Sequence, residues 1–110
     1  MKETRLGDFE ETILLLVGIL GEAAYALRTA DEFAAQTGRA VSIGAVHSTL
    51  SRLEDKGFVT SAMGEATAVR GGRRKRIYTI TAYGQQALVA SRDFKLSLWQ
   101  QYPSLGLGTL

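Results

Sequence analysis

Glycines at similar intervals divide the first half of the 110-residue chain into segments of helix length. Gly21, Gly38 and Gly57 each follow a stretch in which apolar residues recur every three or four positions. This periodicity predicts an amphipathic helix, and glycine is the residue that most often follows the end of one. The sequence therefore predicts three short helices before residue 58.

Two of these three helices also have recognisable starts. The predicted helices are Phe9–Leu20, Tyr25–Thr37 and Ile43–Lys56. Asp8, followed by Glu11 three residues later, predicts a capping box at the start of the first helix, because each side chain can accept from an unpaired amide there. Ser42 is a suitable N-cap for the third helix.

The first predicted helix is apolar around more of its circumference than a surface helix needs. One face carries Phe9, Ile13, Leu16, Val17 and Leu20. Apolar area on another side comes from Leu14, Leu15 and Ile19. We therefore expect this helix to be covered both by its own domain and by a second partner.

Beyond Gly57 the pattern predicts a hairpin and a long last helix. The predicted strands are Arg39–Val41, which lies before the third helix, Phe58–Met63 and Arg74–Ile80. Gly64–Gly72 is the predicted loop between the last two strands. Thr81 is a suitable cap for a helix that continues to Tyr102, since no breaker occurs before Pro103. The predicted fold class is mainly α with a small β-hairpin (α+β), a winged helix-turn-helix with a long C-terminal dimerisation helix.

Length and composition exclude several classes of protein. We expect one domain over residues 1–83, a separate long helix over 84–103 and a flexible tail over 104–110. The longest apolar run, Ile13–Leu20, is far shorter than the ~20 residues that cross a membrane. With no cysteine and one histidine, the chain lacks the usual ligands of a zinc site and a thiol nucleophile. We expect no metal, no cofactor, no catalytic residue and no membrane contact, and a cytoplasmic location.

The charges of the chain are unevenly distributed. The formal net charge is +2, but three basic and seven acidic residues give residues 1–38 a net charge of −4. Ten basic and four acidic residues give residues 39–95 a net charge of +6. A polyanion would therefore be bound by the second segment, although such a segment is also compatible with an ordinary solvated surface.

The third predicted helix has one apolar face and one small, polar face. Ile43, Val46, Leu50 and Leu53 share the predicted core side. A small, polar opposite face suits a helix that enters the major groove of DNA, although it also suits plain solvent exposure. Arg52 is long enough to reach either a phosphate or a guanine edge. The candidate DNA-binding residues are Ser42, Gly44, Ala45, His47, Ser48, Ser51 and Arg52.

Five cations surround two glycines at the tip and returning strand of the predicted hairpin, which we call the wing. They are Arg70, Arg73, Arg74, Lys75 and Arg76. Such a run repels itself unless an anion neutralises it, and duplex phosphates suit it because each contact releases a counterion. A charge run is usually solvated surface, but one that directly follows a helix suited to the groove favours DNA binding.

Two stretches, Val41–Val59 and Arg70–Gly84, resemble the signature of PadR-like transcriptional regulators. The matching patterns are Gly-x-x-x-x-x-Leu-x-x-Leu-Glu-x-x-Gly and a basic wing followed by Tyr-x-x-Thr-x-x-Gly. The resemblance covers nearly the whole chain and implies a dimeric winged-helix DNA-binding protein, usually a repressor, without catalytic residues. His47 and Ser48 stand where such proteins commonly have tyrosine and proline. For His47 we favour a DNA-backbone contact over a purely structural place at a helix junction.

The last predicted helix carries an apolar stripe longer than one small domain can cover. We expect a dimer interface formed by Leu14, Leu88, Phe94, Leu98, Trp99 and Tyr102. The competing interpretation is a groove for a small aromatic effector at this interface, with Phe94 and Trp99 as its walls. Aromatic residues at helical spacing are more often used for packing, so we favour the dimer.

Together these patterns predict a homodimeric, sequence-specific regulator of transcription that binds double-stranded DNA, acting as a repressor. The alternative, from another class, is a winged-helix protein-interaction module whose basic wing docks on an acidic protein partner.

Overall fold

The computed structural model describes residues 5–64 and 74–103. In chain order the elements are α1 (Asp8–Leu20), a 3₁₀ turn (Gly21–Ala23), α2 (Ala26–Thr37), α3 (Ile43–Asp55), β1 (Val59–Met63), β2 (Arg76–Ile80) and α4 (Ala82–Gln101). The predicted fold class is confirmed: short helices precede a hairpin, and a long C-terminal helix follows it. The predicted tail over 104–110 and most of the predicted loop lie outside the described residues.

Glycine and serine mark the ends of the helices as predicted. Gly38 and Gly57 follow α2 and α3 with φ angles of 73° and 82°, a left-handed conformation that favours glycine. The Ala45 amide donates to the Ser42 hydroxyl at 3.0 Å, so Ser42 caps α3. Residues close to the helix ends therefore determine where α2 ends and where α3 begins, and these are the two helices of the expected helix-turn-helix.

The capping box predicted for α1 at Asp8 and Glu11 does not form, and one residue earlier only half of a box is present, because Gly7 at the N-cap has no side chain to accept from an α1 amide. The Gly7 amide, rather than that of Asp8, donates to a carboxylate, and the acceptor is Glu10 at 2.8 Å rather than Glu11. Both pairs have the required spacing of three residues. Glu11 instead forms an ion pair with Lys95 of α4, which draws its side chain away from the start of α1.

The short strand predicted at Arg39–Val41 is wrong. The sheet of the described residues has two antiparallel strands, with Val59 opposite Ile80 and Met63 opposite Arg76. The turn before α2 pairs with β2 instead, because the Tyr78 amide donates to the Ala24 carbonyl at 2.9 Å.

Helices α1, α2 and α3 and the base of the hairpin enclose one apolar core. Its fully buried members include Ile13, Leu14, Val46, Leu50, Leu53 and Phe58. The prediction that Ile43 lies on the core side of α3 is wrong, since Ile43 is 49% exposed, and Thr49, which was assigned to neither face, is buried. The buried face of α3 is therefore rotated by ~30° from the predicted one, and this rotation changes which side chains lie at the centre of the exposed face.

Helix α4 is fixed to the end of α3 by its first turn. The Thr81 hydroxyl accepts from the Gly84 amide at 2.9 Å and donates to the Gly57 carbonyl at 2.7 Å. Gly84 is buried against Phe58, whereas the side chains beyond Ser91 are exposed. The helix therefore begins inside the domain and then extends past it. Within the described ranges, no helix is long and apolar enough to span a membrane.

Candidate nucleic-acid interface

All seven candidate residues at α3 are exposed. They are Ser42, Gly44, Ala45, His47, Ser48, Ser51 and Arg52. Because Val46, Thr49, Leu50 and Leu53 form the buried side, the exposed face is centred on Gly44, Ser48 and Ser51. These residues have no side chain or a very short one, so another surface can approach the α3 backbone closely.

Arg52 and His47 flank this small-residue face, each ~70° from its centre around the helix axis. They lie on opposite sides of it, and both are exposed. His47, predicted at the border of the core, is therefore better placed for an external contact than for covering a helix junction.

Arg52, which the sequence showed only to be long enough to reach a phosphate or a guanine edge, already has two partners within the chain. Its Nη2 donates to the Thr49 hydroxyl at 3.1 Å, and its Nε lies 3.5 Å from Oε2 of Glu10. The side chain remains 55% exposed. Sequence reasoning missed both partners, because Thr49 was not recognised as buried and Glu10 lies on a different helix.

Glu10 is a buried carboxylate that joins α1 to α3. Both of its oxygens accept from the Lys56 ammonium, at 2.9 and 3.0 Å, and one also accepts from the Gly7 amide. Burial by itself would raise the pKa of Glu10, but the Gly7 amide, Lys56 and the nearby Arg52 together lower it. Glu10 therefore carries a negative charge at neutral pH and fixes two cations of α3.

The base of the wing places three predicted cations on the surface. The Arg74 Nε donates to the Gly64 carbonyl at 2.8 Å, and the Lys75 ammonium lies 4.2 Å from the centre of the Tyr25 ring. Arg76 is exposed at the start of β2. The other two predicted cations, Arg70 and Arg73, lie outside the described residues.

A chain of hydrogen bonds links the wing to α3. The Nη1 atom of Arg76 donates to the Ser61 hydroxyl at 3.0 Å, and this hydroxyl donates to Oε2 of Glu54 at 2.8 Å. Strands β2 and β1 and the last turn of α3 are thereby connected through side chains. The cationic base of the wing therefore has a defined position relative to α3.

The predicted dimer residues fall into two groups. Leu14 is fully buried in the core of the single chain, so its predicted place at a dimer interface is wrong: it has no surface left for a partner. Leu88 packs against the core of its own domain. The remaining four are half or more exposed, namely Phe94, Leu98, Trp99 and Tyr102. Helix α1 adds two exposed apolar residues, Leu15 and Ile19.

Two hollows border α4. A groove of about 700 Å³ between α4 and the start of α1 is lined by Phe58, Tyr83 and Phe94, among others. A shallower hollow of about 250 Å³ is lined by Lys95, Leu98, Trp99 and Tyr102. Phe94 and Trp99, expected as walls of one groove, thus line separate hollows of the single chain.

The candidate residues of α3 and of the base of the wing lie on the surface of the domain. Within residues 5–64 and 74–103, no group of three or more His, Cys, Asp or Glu side chains is placed to hold a metal ion. The exposed features are a small-residue helix face, two flanking side chains and a cationic wing base. A surface of this kind fits an extended polyanion.

Comparisons with known proteins agree with this geometry. The family model described as the transcriptional regulator PadR-like family matches residues 15–90. A PadR-like transcriptional regulator from Bacillus cereus strain ATCC 14579 has the same fold, with a TM-score of 0.71, 19% identity, and coverage of 92% of this chain and 93% of that one. No curated protein sequence matches the chain.

Two further solved structures extend the comparison. A PadR-like transcription factor from Bacteroides fragilis has a TM-score of 0.70 at 22% identity, covering 84% of each chain. RosR from H. salinarum has a TM-score of 0.68 at 28% identity, covering 89% of this chain and 81% of that one.

Proposed function

Because the chain belongs to the transcriptional regulator PadR-like family, we propose that it represses transcription by binding specific sites on double-stranded DNA as a homodimer. Proteins of this family are regulators of transcription rather than enzymes. DNA-binding regulation of transcription is thus the general function, to which we add a repressor role, a homodimer and a cytoplasmic location.

We assign α3 to the major groove. The observation that carries the proposal is its exposed face, centred on Gly44, Ser48 and Ser51. A major groove admits an α-helix, and short side chains let the helix approach base edges without obstruction. The two serine hydroxyls can donate to or accept from bases, so the small-residue face has the chemistry for direct readout.

The wing supplies contacts to the phosphate backbone. Arg74, Lys75 and Arg76 are exposed at its base, and their position next to α3 is supported by the link through Ser61 and Glu54. Together with Arg70 and Arg73 they form a set of five cations. Cations on a hairpin beside a groove-reading helix suit phosphates on the flank of the groove, which position a protein without reading its sequence.

The dimer is supported by apolar surface that the single chain leaves exposed. Phe94, Leu98 and Trp99 continue α4 past its own domain, and the ion pair of Lys95 with Glu11 holds α4 next to α1. Exposed apolar patches of this kind mark interaction surfaces. A second copy is the simplest occupant, because two reading helices are needed for an inverted-repeat site.

Repression requires only that the dimer occupies a promoter. A small dimer bound at a promoter excludes the transcription machinery by its volume and needs no further contact to do so.

A second candidate function, binding of a small aromatic effector at the dimer, is favoured by the groove of about 700 Å³, whose lining includes Phe58, Tyr83 and Phe94. Its volume lies in the range of small-molecule sites.

Competition binding separates this proposal from docking on an acidic protein. Purified protein is bound to fluorescent duplex fragments of genomic DNA and challenged with random-sequence duplex or with polyglutamate, at several salt concentrations. We expect a subset of fragments to resist random duplex, with affinity falling linearly on a log–log plot against salt. Displacement by polyglutamate as readily as by duplex would favour the protein-interaction module.

A further inference from the structure

One edge of the Arg52 guanidinium is held by two side chains from different helices. Nη2 donates to Thr49 of its own helix, and Nε faces Glu10 of α1. These two nitrogens share one edge of the planar group. Within the described residues, Nη1 on the outer edge has no hydrogen-bond partner, and the side chain is 55% exposed.

Both holding groups are rigid parts of the domain. Thr49 and Glu10 are buried, and Glu10 is itself fixed by the Gly7 amide and by Lys56. A long side chain held in this way loses less conformational freedom when it binds a ligand, so its contact is stronger than that of a free arginine.

We infer that Thr49 and Glu10 hold Arg52 as a preformed clamp for a backbone phosphate, so that Arg52 adds affinity for every DNA sequence rather than reading a base. The inference rests on the proposed function. Thr49 and Glu10 are positioning residues in it, and Arg52 makes the contact.

The position of Arg52 distinguishes phosphate from base. It lies ~70° from the centre of the small-residue face, and Glu10 draws it further towards α1. Phosphates flank a major groove, whereas base edges lie at its floor. The outer edge of a guanidinium matches two phosphate oxygens, which makes arginine suited to this contact.

A change at Thr49 tests positioning without altering charge. Thr49→Val keeps the volume of the buried side chain and removes the hydroxyl that accepts from Arg52. Affinity should fall about 3- to 10-fold, equally on selected and on random duplexes. The matched control is Thr29→Val: Thr29 is also buried, but its hydroxyl donates to the Tyr25 carbonyl in α2. This control should leave DNA affinity unchanged.

Combining Thr49→Val with Arg52→Ala distinguishes a role of Thr49 in positioning Arg52 from a general loss of protein stability. Arg52→Ala should weaken binding to all duplexes and lower the slope of log affinity against log salt by ~0.9. Adding Thr49→Val to this variant should cause no further loss, whereas a merely structural effect would add to it. Arg52→Lys keeps the positive charge but removes the planar guanidinium with its paired N–H donors. It provides a second test if Thr49→Val does not fold. This variant should weaken binding to all duplexes alike and leave the slope of log affinity against log salt unchanged.

Three results would overturn the inference. Loss of preference at one base pair in Arg52→Ala would make Arg52 a base reader, and the proposed function would stand. An equal loss from Thr49→Val with and without Arg52 would make Thr49 purely structural. Failure of the unaltered protein to prefer any duplex would remove the proposed function and this inference together.

Discussion

A Cβ atom added to Gly84 would lie 2.2 Å from the carbonyl oxygen of Phe58. The backbone of α4 therefore passes the end of α3 at a distance that only glycine permits. Thr81 reinforces the same contact, since its amide donates to the Phe58 carbonyl at 3.0 Å. This junction sets the direction of the helix that we assign to the dimer relative to the helix that we assign to DNA.

We predict that Gly84→Ala destabilises the protein by about 1–3 kcal/mol or more, because either α4 or the backbone at Phe58 must shift. Urea unfolding followed by circular dichroism measures the change. The matched control is Gly44→Ala, at an exposed helical position where the added methyl meets nothing closer than 4.0 Å. That variant should be as stable as the unaltered protein or gain up to about 1 kcal/mol. Equal behaviour of the two variants would contradict the close approach of α4.

The wing cations should act on all DNA sequences alike. Replacing Arg73, Arg74 and Arg76 by alanine should weaken binding to selected and random duplexes by the same factor and reduce the salt slope by ~0.9 for each lost phosphate contact. Arg92→Ala removes one positive charge from an exposed site on α4, where Arg92 pairs with Asp93, and should change the slope little. A triple variant with an unaltered slope would mean that the phosphate contacts lie elsewhere.

Ionisation of the Glu10 carboxyl should make the stability of the folded protein depend on pH under acidic conditions. Its folded pKa is lowered from the ordinary 4.5, so its contribution is fully present above pH 4.5 and is lost as the pH falls through the folded pKa. At pH 7, Glu10→Gln should cost about 1.5–3 kcal/mol, as expected for lost hydrogen bonds to a charged group. The difference from the unaltered protein should shrink below pH 4.5, as measured by thermal unfolding.

The control for Glu10 is a carboxylate in an exposed ion pair. Asp93 pairs with Arg92 on the outside of α4, where both side chains are mostly exposed, so Asp93→Asn should unfold like the unaltered protein at pH 7. A Glu10→Gln variant whose deficit is the same at pH 7 and at pH 3 would exclude an ionised Glu10 as the source of the effect.

The exposed part of α4 should hold the dimer. Sedimentation at micromolar concentration should give twice the chain mass of 11.9 kDa for the unaltered protein. Leu98→Asp with Trp99→Ala should give monomers, or unfolded chains if the monomer is unstable alone. Val89→Asp also places a charge at an exposed apolar position of α4, but on the opposite side from Leu98, and should remain dimeric. A monomeric unaltered protein would remove the dimer from the proposal.

The order of the elements could be predicted because local chemistry determines it. Gly38 and Gly57 follow helices in a left-handed conformation, and Ser42 and Thr81 cap the next ones. Each signal depends on residues within a few positions of one another. The predicted strand at Arg39–Val41 does not form, and the segment that pairs with β2 besides β1 is instead a turn from an earlier part of the chain.

The parts that could not be predicted depend on partners distant in sequence. The capping box predicted at Asp8 and Glu11 had the correct spacing, but Glu11 pairs instead with Lys95, 84 residues further along the chain. Leu14 looked available for a partner because α1 is apolar around most of its circumference, and only tertiary packing decides which side becomes core. Arg52 looked free because no local pattern connects it to Glu10.

Selection of bound fragments from genomic DNA, using purified protein and sequencing, tests sequence-specific binding most directly. We predict that the recovered fragments share an inverted repeat whose half-site centres lie about one helical turn apart, ~34–36 Å, as two α3 helices on one side of a duplex require. Recovery of fragments without any shared sequence, in proportion to their abundance in the input DNA, would contradict the assignment of α3 as a sequence-reading helix.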